Sequence, residues 1–252
     1  MTGGEPSELL VFYYDLGSPY SYLAAERIHA VFEDPPVWRP ILLGALFQLR
    51  GRDSWANGPE REAGMREVER RATEYGLPAV KWPDPWPGNT LFAMRAATFA
   101  TQIGKAVSFA QAAFRQAFAG GRDLTDPDNV LIAAAACELH PNALTKAVET
   151  QTVKDALRAA TDEAAARGVI GVPSVLVGDQ VFWGDDRLEA AAAAGRSAGP
   201  RVMLPGHPRK RWRARAQPSR KAGDPASRPT ARSVATSCPT SRLHSSCSTG
   251  CS

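Results

Sequence analysis

Apolar positions fall into short continuous blocks near the two ends of the first 195 residues and into amphipathic stretches between them. Residues 9–15, LLVFYYD, form an unbroken apolar and aromatic run that stops at Leu-Gly-Ser-Pro, which predicts a buried strand closed by a turn. A helix is expected over 19–33, with Ser18 as its cap and Pro19 at its first position, where a missing N–H costs nothing. Residues 37–43, VWRPILL, predict a second strand, and Pro40 marks it as an edge or a bulge. The middle of the chain has helical spacing: 59–75, then about 90–103, 106–119, 127–139, 141–149 and 151–167, with a proline-rich loop, KWPDPWPGNT, between the first two. Strand pattern returns at 174–177 and 180–183 around the turn pair Gly178-Asp179, followed by a last helix over 185–194. The order is strand–helix–strand, a helical block, then helix–hairpin–helix, which places a helical insertion inside a small α/β unit.

Charge divides the 252-residue chain in two. Residues 196–252 carry twelve Lys and Arg against the single acid Asp224, a net +11, while the first 195 residues sum to −7. The basic pI therefore belongs to the tail, and the body offers no electrostatic case for a nucleic-acid partner. The tail is rich in Ser, Pro, Arg and Thr with Trp212 as its one aromatic of the Phe/Trp/Tyr class, so it is expected to be disordered, a solvated or polyanion-binding segment or an out-of-frame extension. No apolar run is long enough to span a bilayer, and MTGGEPSELL has neither the basic nor the apolar region of a signal peptide. A cytoplasmic protein with no membrane partner is expected. The body holds one cysteine, Cys137, in an apolar run, and no CxxC pair occurs anywhere, which removes dithiol redox chemistry. His29 and His140 show no metal-ligand spacing.

Two constellations carry chemistry. In DLGSPYSYLA, residues 15–24, a strand runs into a sharp turn and a helix starts at Ser18-Pro19. The first turn of a helix presents unpaired N–H groups and positive dipole, which favour an anion such as a thiolate. Ser18 and Ser21 cannot form a disulfide but can donate to a sulfur that arrives with a ligand; Ser18 as a plain helix cap is the alternative. In GVIGVPSVLVGDQVFWGDDRLEA, residues 168–190, Val172-Pro173 stands just before a strand, where a cis bond would expose backbone to an extended peptide ligand. Asp185 and Asp186 then open the last helix, as caps or as receivers of a ligand ammonium.

These segments, with RPILLGALF between them, resemble the 2-hydroxychromene-2-carboxylate isomerase family, which is related to kappa-class glutathione transferases and more distantly to DsbA-like oxidoreductases. The resemblance covers about residues 8–194. It implies an α/β thioredoxin-like fold with a large all-helical insertion, the DsbA/kappa-class arrangement. On this reading residues 8–195 form the domain, the insertion lies at about 59–167, and 196–252 is the disordered basic tail. It implies glutathione, or another low-molecular-weight thiol, as cofactor and an aromatic enol-pyruvate of aromatic catabolism as substrate, turned over by reversible thiolate addition. Ser18 matches the catalytic serine that hydrogen-bonds the cofactor sulfur, with Pro19 and Tyr20 around it. Val172, before Pro173, matches the residue whose backbone pairs with the cysteinyl unit, and Asp185 and Asp186 match the pair at the γ-glutamyl end. Trp82 and Trp86 lie in the region that approaches the substrate, as stacking surfaces or as packed connectors. Relatives carry Lys and then Gly-Asn after G-A-L-F, where this chain has Gln48 and, after Gly51, Arg52; Arg52 is a candidate substrate contact or a solvated arginine. The resemblance also leaves open a homodimer, a kappa-type transferase or peroxidase, and a DsbA-like protein without dithiol activity.

Overall fold

The computed structural model describes residues 10–197. Strand β1 (Leu10–Tyr14) leads into helix α1 (Pro19–Val31) and then strand β2 (Val37–Pro40), a β-α-β crossover in which β1 and β2 pair in parallel. Helices α2 (Leu43–Leu49), α3 (Arg61–Glu74), α4 (Leu91–Gln102), α5 (Ala106–Phe114), α6 (Pro127–Ala135), α7 (Pro141–Ala147) and α8 (Gln151–Ala166) follow. Strands β3 (Ser174–Val177) and β4 (Gln180–Trp183) form a hairpin, and helix α9 (Leu188–Ser197) ends the described chain. The sheet runs β2-β1-β3-β4, with β3 antiparallel to both of its neighbours.

All five residues of β1 are buried because both faces of the sheet are covered. Phe12 and Tyr14 join Trp38, α1, α4 and α5 on one side, while Val11 and Tyr13 join Ile41, Leu46 and α8 on the other. Among the described residues no helix is long and apolar enough to cross a membrane.

Several boundaries differ from those expected. The second strand stops at Pro40 instead of running to residue 43. Ile41 N–H still reaches Tyr14 O, but Leu42 N–H turns to Thr161 Oγ1 and Leu43 N–H to the Asp15 carboxylate, so the chain leaves the sheet and becomes α2. The helix expected over 106–119 changes to a π-turn at Arg115–Ala119. Its wider winding leaves Phe118 O to accept Lys81 N–H at 2.8 Å, which docks the proline-rich loop. The last helix is preceded by a 3₁₀ turn over Asp185–Arg187 and continues to Ser197, so residues 196 and 197 belong to α9. The rest of the segment read as a disordered tail lies outside the described residues.

Candidate active site

Register places the chemistry-bearing segments at one end of the sheet. Tyr13 stands opposite Ser174, and Tyr14 opposite Pro40. The turn after β1, the Val172-Pro173 peptide before β3 and the Gly184-Asp185 segment after β4 are therefore neighbours, and Gly184 N–H bonds Pro173 O at 3.0 Å.

At the first of these, Ser18 has extended backbone, φ −94° and ψ 116°, and caps α1 by accepting Ser21 N–H on Oγ at 3.2 Å. Its own N–H closes the turn onto Asp15 O at 3.1 Å. The hydroxyl proton of Ser18 has no acceptor among the described residues. Ser21 Oγ lies one helical turn on, fully buried and without a hydrogen-bond partner.

Beneath this turn lies Asp15, a residue not singled out from the sequence. Its buried carboxylate accepts Gly17 N–H at 2.8 Å, Leu43 N–H at 2.9 Å and Thr90 Oγ1–H at 3.4 Å. Burial pushes its pKa up, opposed by those main-chain donors. The Asp-Leu-Gly sequence is an Asx-turn signal, so the local half of this arrangement was available to sequence reading.

The Val172-Pro173 peptide is cis. The main-chain N–H and C=O of Val172 have no hydrogen-bond partner among the described residues, although its side chain is buried. Beside it, Trp183 packs so closely on Gly171 that a Cβ there would meet Nε1 at 2.7 Å. The Arg52 guanidinium lies 5.8 Å over the Trp183 ring, which places Arg52 on this wall.

The two aspartates differ sharply. Asp185 is 1% exposed and held by Arg71 Nη1 at 2.8 Å and the Tyr75 hydroxyl at 2.9 Å, both from α3 or its end. Arg27 of α1 donates to Asp185 O at 2.9 Å, stacks 3.7 Å over the Tyr75 ring and pairs with Glu189. Asp185 is thus a bracing carboxylate whose two oxygens are both engaged, not a free receiver for a ligand. Burial raises its pKa, with Tyr75 and Arg71 opposing. The Tyr75 phenol is in turn pushed up to about 12 by burial and the hydrogen bond to Asp185. Asp186 is the open member of the pair, its side chain 57% exposed. It folds over Gly184, whose φ of +119° and Cβ clearance of 2.4 Å to Asp186 Oδ1 admit only glycine.

Tyr20, half-buried with its pKa raised by burial, fills the space between the two ends. Its ring meets Trp55 edge-on at 6.0 Å and lies 5.5 Å from the Arg71 guanidinium. Trp86 is 8% exposed, donates Nε1–H to Gly17 O at 3.2 Å, and packs on Trp55 and Trp82 at 5.4 and 4.6 Å. It therefore braces the turn that carries Ser18. Trp82 is half-buried, with its Nε1–H on Glu69. A shallow crevice with a cavity volume of only about 10 Å³ lies beside Leu16 and Gly17, lined by Trp86, Thr90, Phe118 and Thr125 among others. Pro19 occupies the first position of α1 and is buried. Arg71 carries no sequence signal because an arginine on the charge-rich α3 reads as a solvated face, and Tyr75 and Arg27 belong to no motif.

Residues 9–194 match the family model of the DSBA-like thioredoxin domain. The chain is 31% identical over 188 residues to 2-hydroxychromene-2-carboxylate isomerase of Sphingobium xenophagum, a match spanning 71% of this chain and 93% of that protein. Among solved structures, a 2-hydroxychromene-2-carboxylate isomerase superposes with a TM-score of 0.68 at 22% identity, over 75% of this chain and 95% of that one. A probable DsbA oxidoreductase from Streptomyces coelicolor superposes with a TM-score of 0.62 at 21% identity, over 78% of this chain and 94% of that one.

Proposed function

The chain belongs to the 2-hydroxychromene-2-carboxylate isomerase family, on the DsbA-like thioredoxin domain, and from that premise we propose that it is a thiol-dependent cis–trans isomerase of 2-hydroxychromene-2-carboxylate or a similar aromatic enol-pyruvate. The cofactor of this reading is glutathione or another low-molecular-weight thiol. When bound, the thiol supplies a nucleophile that adds reversibly to the conjugated double bond, leaves it single while it turns, and departs unchanged. The observation that carries the reading is Ser18, a hydroxyl with an unclaimed proton at the N-terminus of a 13-residue helix.

Each end of the site has a matching open group. Ser18 Oγ–H donates to the sulfur, and the positive end of α1 favours its ionised form. Val172 N–H donates to, and its C=O accepts from, an extended peptide bound as an added strand. Asp186 offers an exposed carboxylate to a ligand ammonium. Trp86 and Asp15 hold the Ser18 turn still from behind. The aromatic substrate is assigned to the Gly17 face of the Ser18 turn, on the side of Trp82 and Trp86. Arg52, over Trp183, lies by the Val172 wall and is assigned to the cofactor side. Dithiol exchange has no place here, since serine occupies both positions 18 and 21 and Cys137 is the one cysteine among the described residues.

Thermal unfolding with and without glutathione tests the cofactor. A ligand at a hundred times its Kd stabilises by about 2.7 kcal/mol, and Ser18→Ala is expected to shrink the rise. An unchanged melting temperature with glutathione and with other small thiols would sink the reading. Product analysis then separates isomerisation, which yields isomer alone, from a kappa-type transfer, which leaves a thioether adduct.

A further inference from the structure

Arg61 opens α3 at a position that does not suit a cation. The first turn of a helix carries the positive end of its dipole, so an arginine there is electrostatically unfavourable. No carboxylate among the described residues forms an ion pair with Arg61, and Glu62 beside it turns to Arg66 at 3.8 Å instead. The guanidinium is nevertheless fixed. Nη2 donates to Trp86 O at 2.6 Å, and Cζ lies over the Trp86 ring, 5.6 Å from its centre. This is its one hydrogen bond among the described residues, so most of the five N–H donors of a guanidinium stay uncommitted.

Trp86 is also the indole that donates Nε1–H to Gly17 O, next to Ser18. It therefore holds the reactive turn by its ring nitrogen and Arg61 by its main-chain carbonyl. Trp55 and Trp82 pack on its flanks at 5.4 and 4.6 Å, and both are only half-buried. One turn along α3, Gly64 seats Trp55 so closely that a Cβ there would meet Cε3 at 2.3 Å. Arg61 and Gly64 thus share the helix face that borders the three indoles. An uncommitted guanidinium beside indole rings complements one class of molecule, a planar aromatic ring bearing a carboxylate. Paired N–H donors answer the carboxylate, and the indoles answer the ring.

We infer that Arg61 is a substrate-specificity residue whose guanidinium receives the carboxylate of an aromatic acid while the acid's ring packs against the tryptophans beside the Ser18 turn. This rests on the isomerase reading above and narrows it, because an aromatic enol-pyruvate carries its carboxylate on the chain that the thiolate attacks. A thiolate and a carboxylate repel, and a guanidinium held on the substrate side offsets that repulsion. Neutral aromatic electrophiles gain nothing from Arg61 and are bound less well.

Calorimetric titration of the whole chain tests this with two stable probes of the same ring system, chromone-2-carboxylate and the neutral chromone-2-carboxamide. The wild type is expected to bind the carboxylate roughly ten- to hundredfold more tightly. Arg61→Gln should erase that preference by weakening the carboxylate alone, and Arg61→Lys, a point charge without the planar fork, should restore part of it. Added salt should narrow the wild-type preference and leave Arg61→Gln unmoved. In steady state, Arg61→Gln should raise KM for 2-hydroxychromene-2-carboxylate by a similar factor, with kcat little changed and glutathione binding as in the wild type. Should Arg61→Gln fail to fold, Arg61→Lys decides by the same ratio: a reduced preference supports the assignment and an unchanged one overturns it. Equal binding of the two probes by the wild type, no binding of either, or a preference that survives in Arg61→Gln also overturns it, while turnover of 2-hydroxychromene-2-carboxylate would leave the isomerase reading standing. A preference that needs Arg61, in a protein that does not turn over 2-hydroxychromene-2-carboxylate, supports the aromatic-acid site and removes the isomerase reading.

Discussion

At Ser18 the hydrogen bonds that shape the turn come from within three residues: Asp15 O to Ser18 N–H, the Asp15 carboxylate to Gly17 N–H, and Ser18 Oγ to Ser21 N–H. At Asp185 the partners come from Arg71, Tyr75 and Arg27, at separations of 114, 110 and 158 residues. Both regions bury a carboxylate, and burial raises the pKa of each. The first is satisfied mainly by main-chain N–H groups, Gly17 within the turn and Leu43 at the start of α2. The second is satisfied by particular side chains of the helical insertion. One end of the site is thus shaped first by the local turn and main-chain donors, and the other by how particular side chains of the insertion dock.

The largest effect is expected at Ser18. Ser18→Ala removes a hydrogen bond to a charged sulfur, worth roughly 1.5–3 kcal/mol, so turnover should fall roughly 10- to 150-fold. Loss of the cap should lower stability by about 0.5–2 kcal/mol in the same variant. Steady-state kinetics at saturating thiol checks the first, and wild-type turnover there rules the serine out.

Next comes Asp15→Asn. The amide can still accept Gly17 N–H, but its NH₂ then faces Leu43 N–H, and an unsatisfied buried donor costs about 1–3 kcal/mol. The raised pKa adds a pH signature. The folded state holds the Asp15 proton more tightly than the unfolded chain, so this contribution is present below the unfolded value and is lost as pH rises through the folded one. The stability gap between wild type and Asp15→Asn should therefore narrow as pH rises, read from urea midpoints across the acid-to-neutral range.

Tyr75→Phe probes the other end. It deletes one hydrogen bond to Asp185, a loss of about 1.5–3 kcal/mol before solvent access reduces it. Tyr75 titrates at about 12 in the fold, so the wild type should lose stability as pH rises from 10 through 12, and the variant should lack that limb of the melting profile. The smallest effect is expected at Arg52→Ala. Its contact with the exposed Trp183 ring is worth about 0.5–1 kcal/mol, and a rise in KM for the thiol with kcat unchanged would fix Arg52 on the cofactor wall.

What could be read in the sequence follows the same division. The strand-turn-helix at Ser18 and the hairpin at Gly178-Asp179 are short-range, and period and turn chemistry specify them. Helix α2 was hidden because the apolar run VWRPILL fits a strand as well as a strand's exit. The exit is decided by Thr161 and Asp15, which capture Leu42 and Leu43 from afar. Asp185 and Asp186 read as an equivalent pair, and only the position of Arg71 and Tyr75 makes one a brace and the other an open group. Trp86 was legible as an indole near the site, but its service to Gly17 O depends on a loop fold that no local pattern encodes.

Asp15 gathers Gly17, Leu43 and Thr90 on one carboxylate, and thereby a strand end, a helix start and the entry to the helical block. The reactive turn cannot loosen without releasing all three. The amide protons of Gly17 and Leu43 should accordingly exchange with solvent at a common, slow rate set by opening of the whole domain, and the reactive serine would then share the lifetime of the fold and not that of a surface loop.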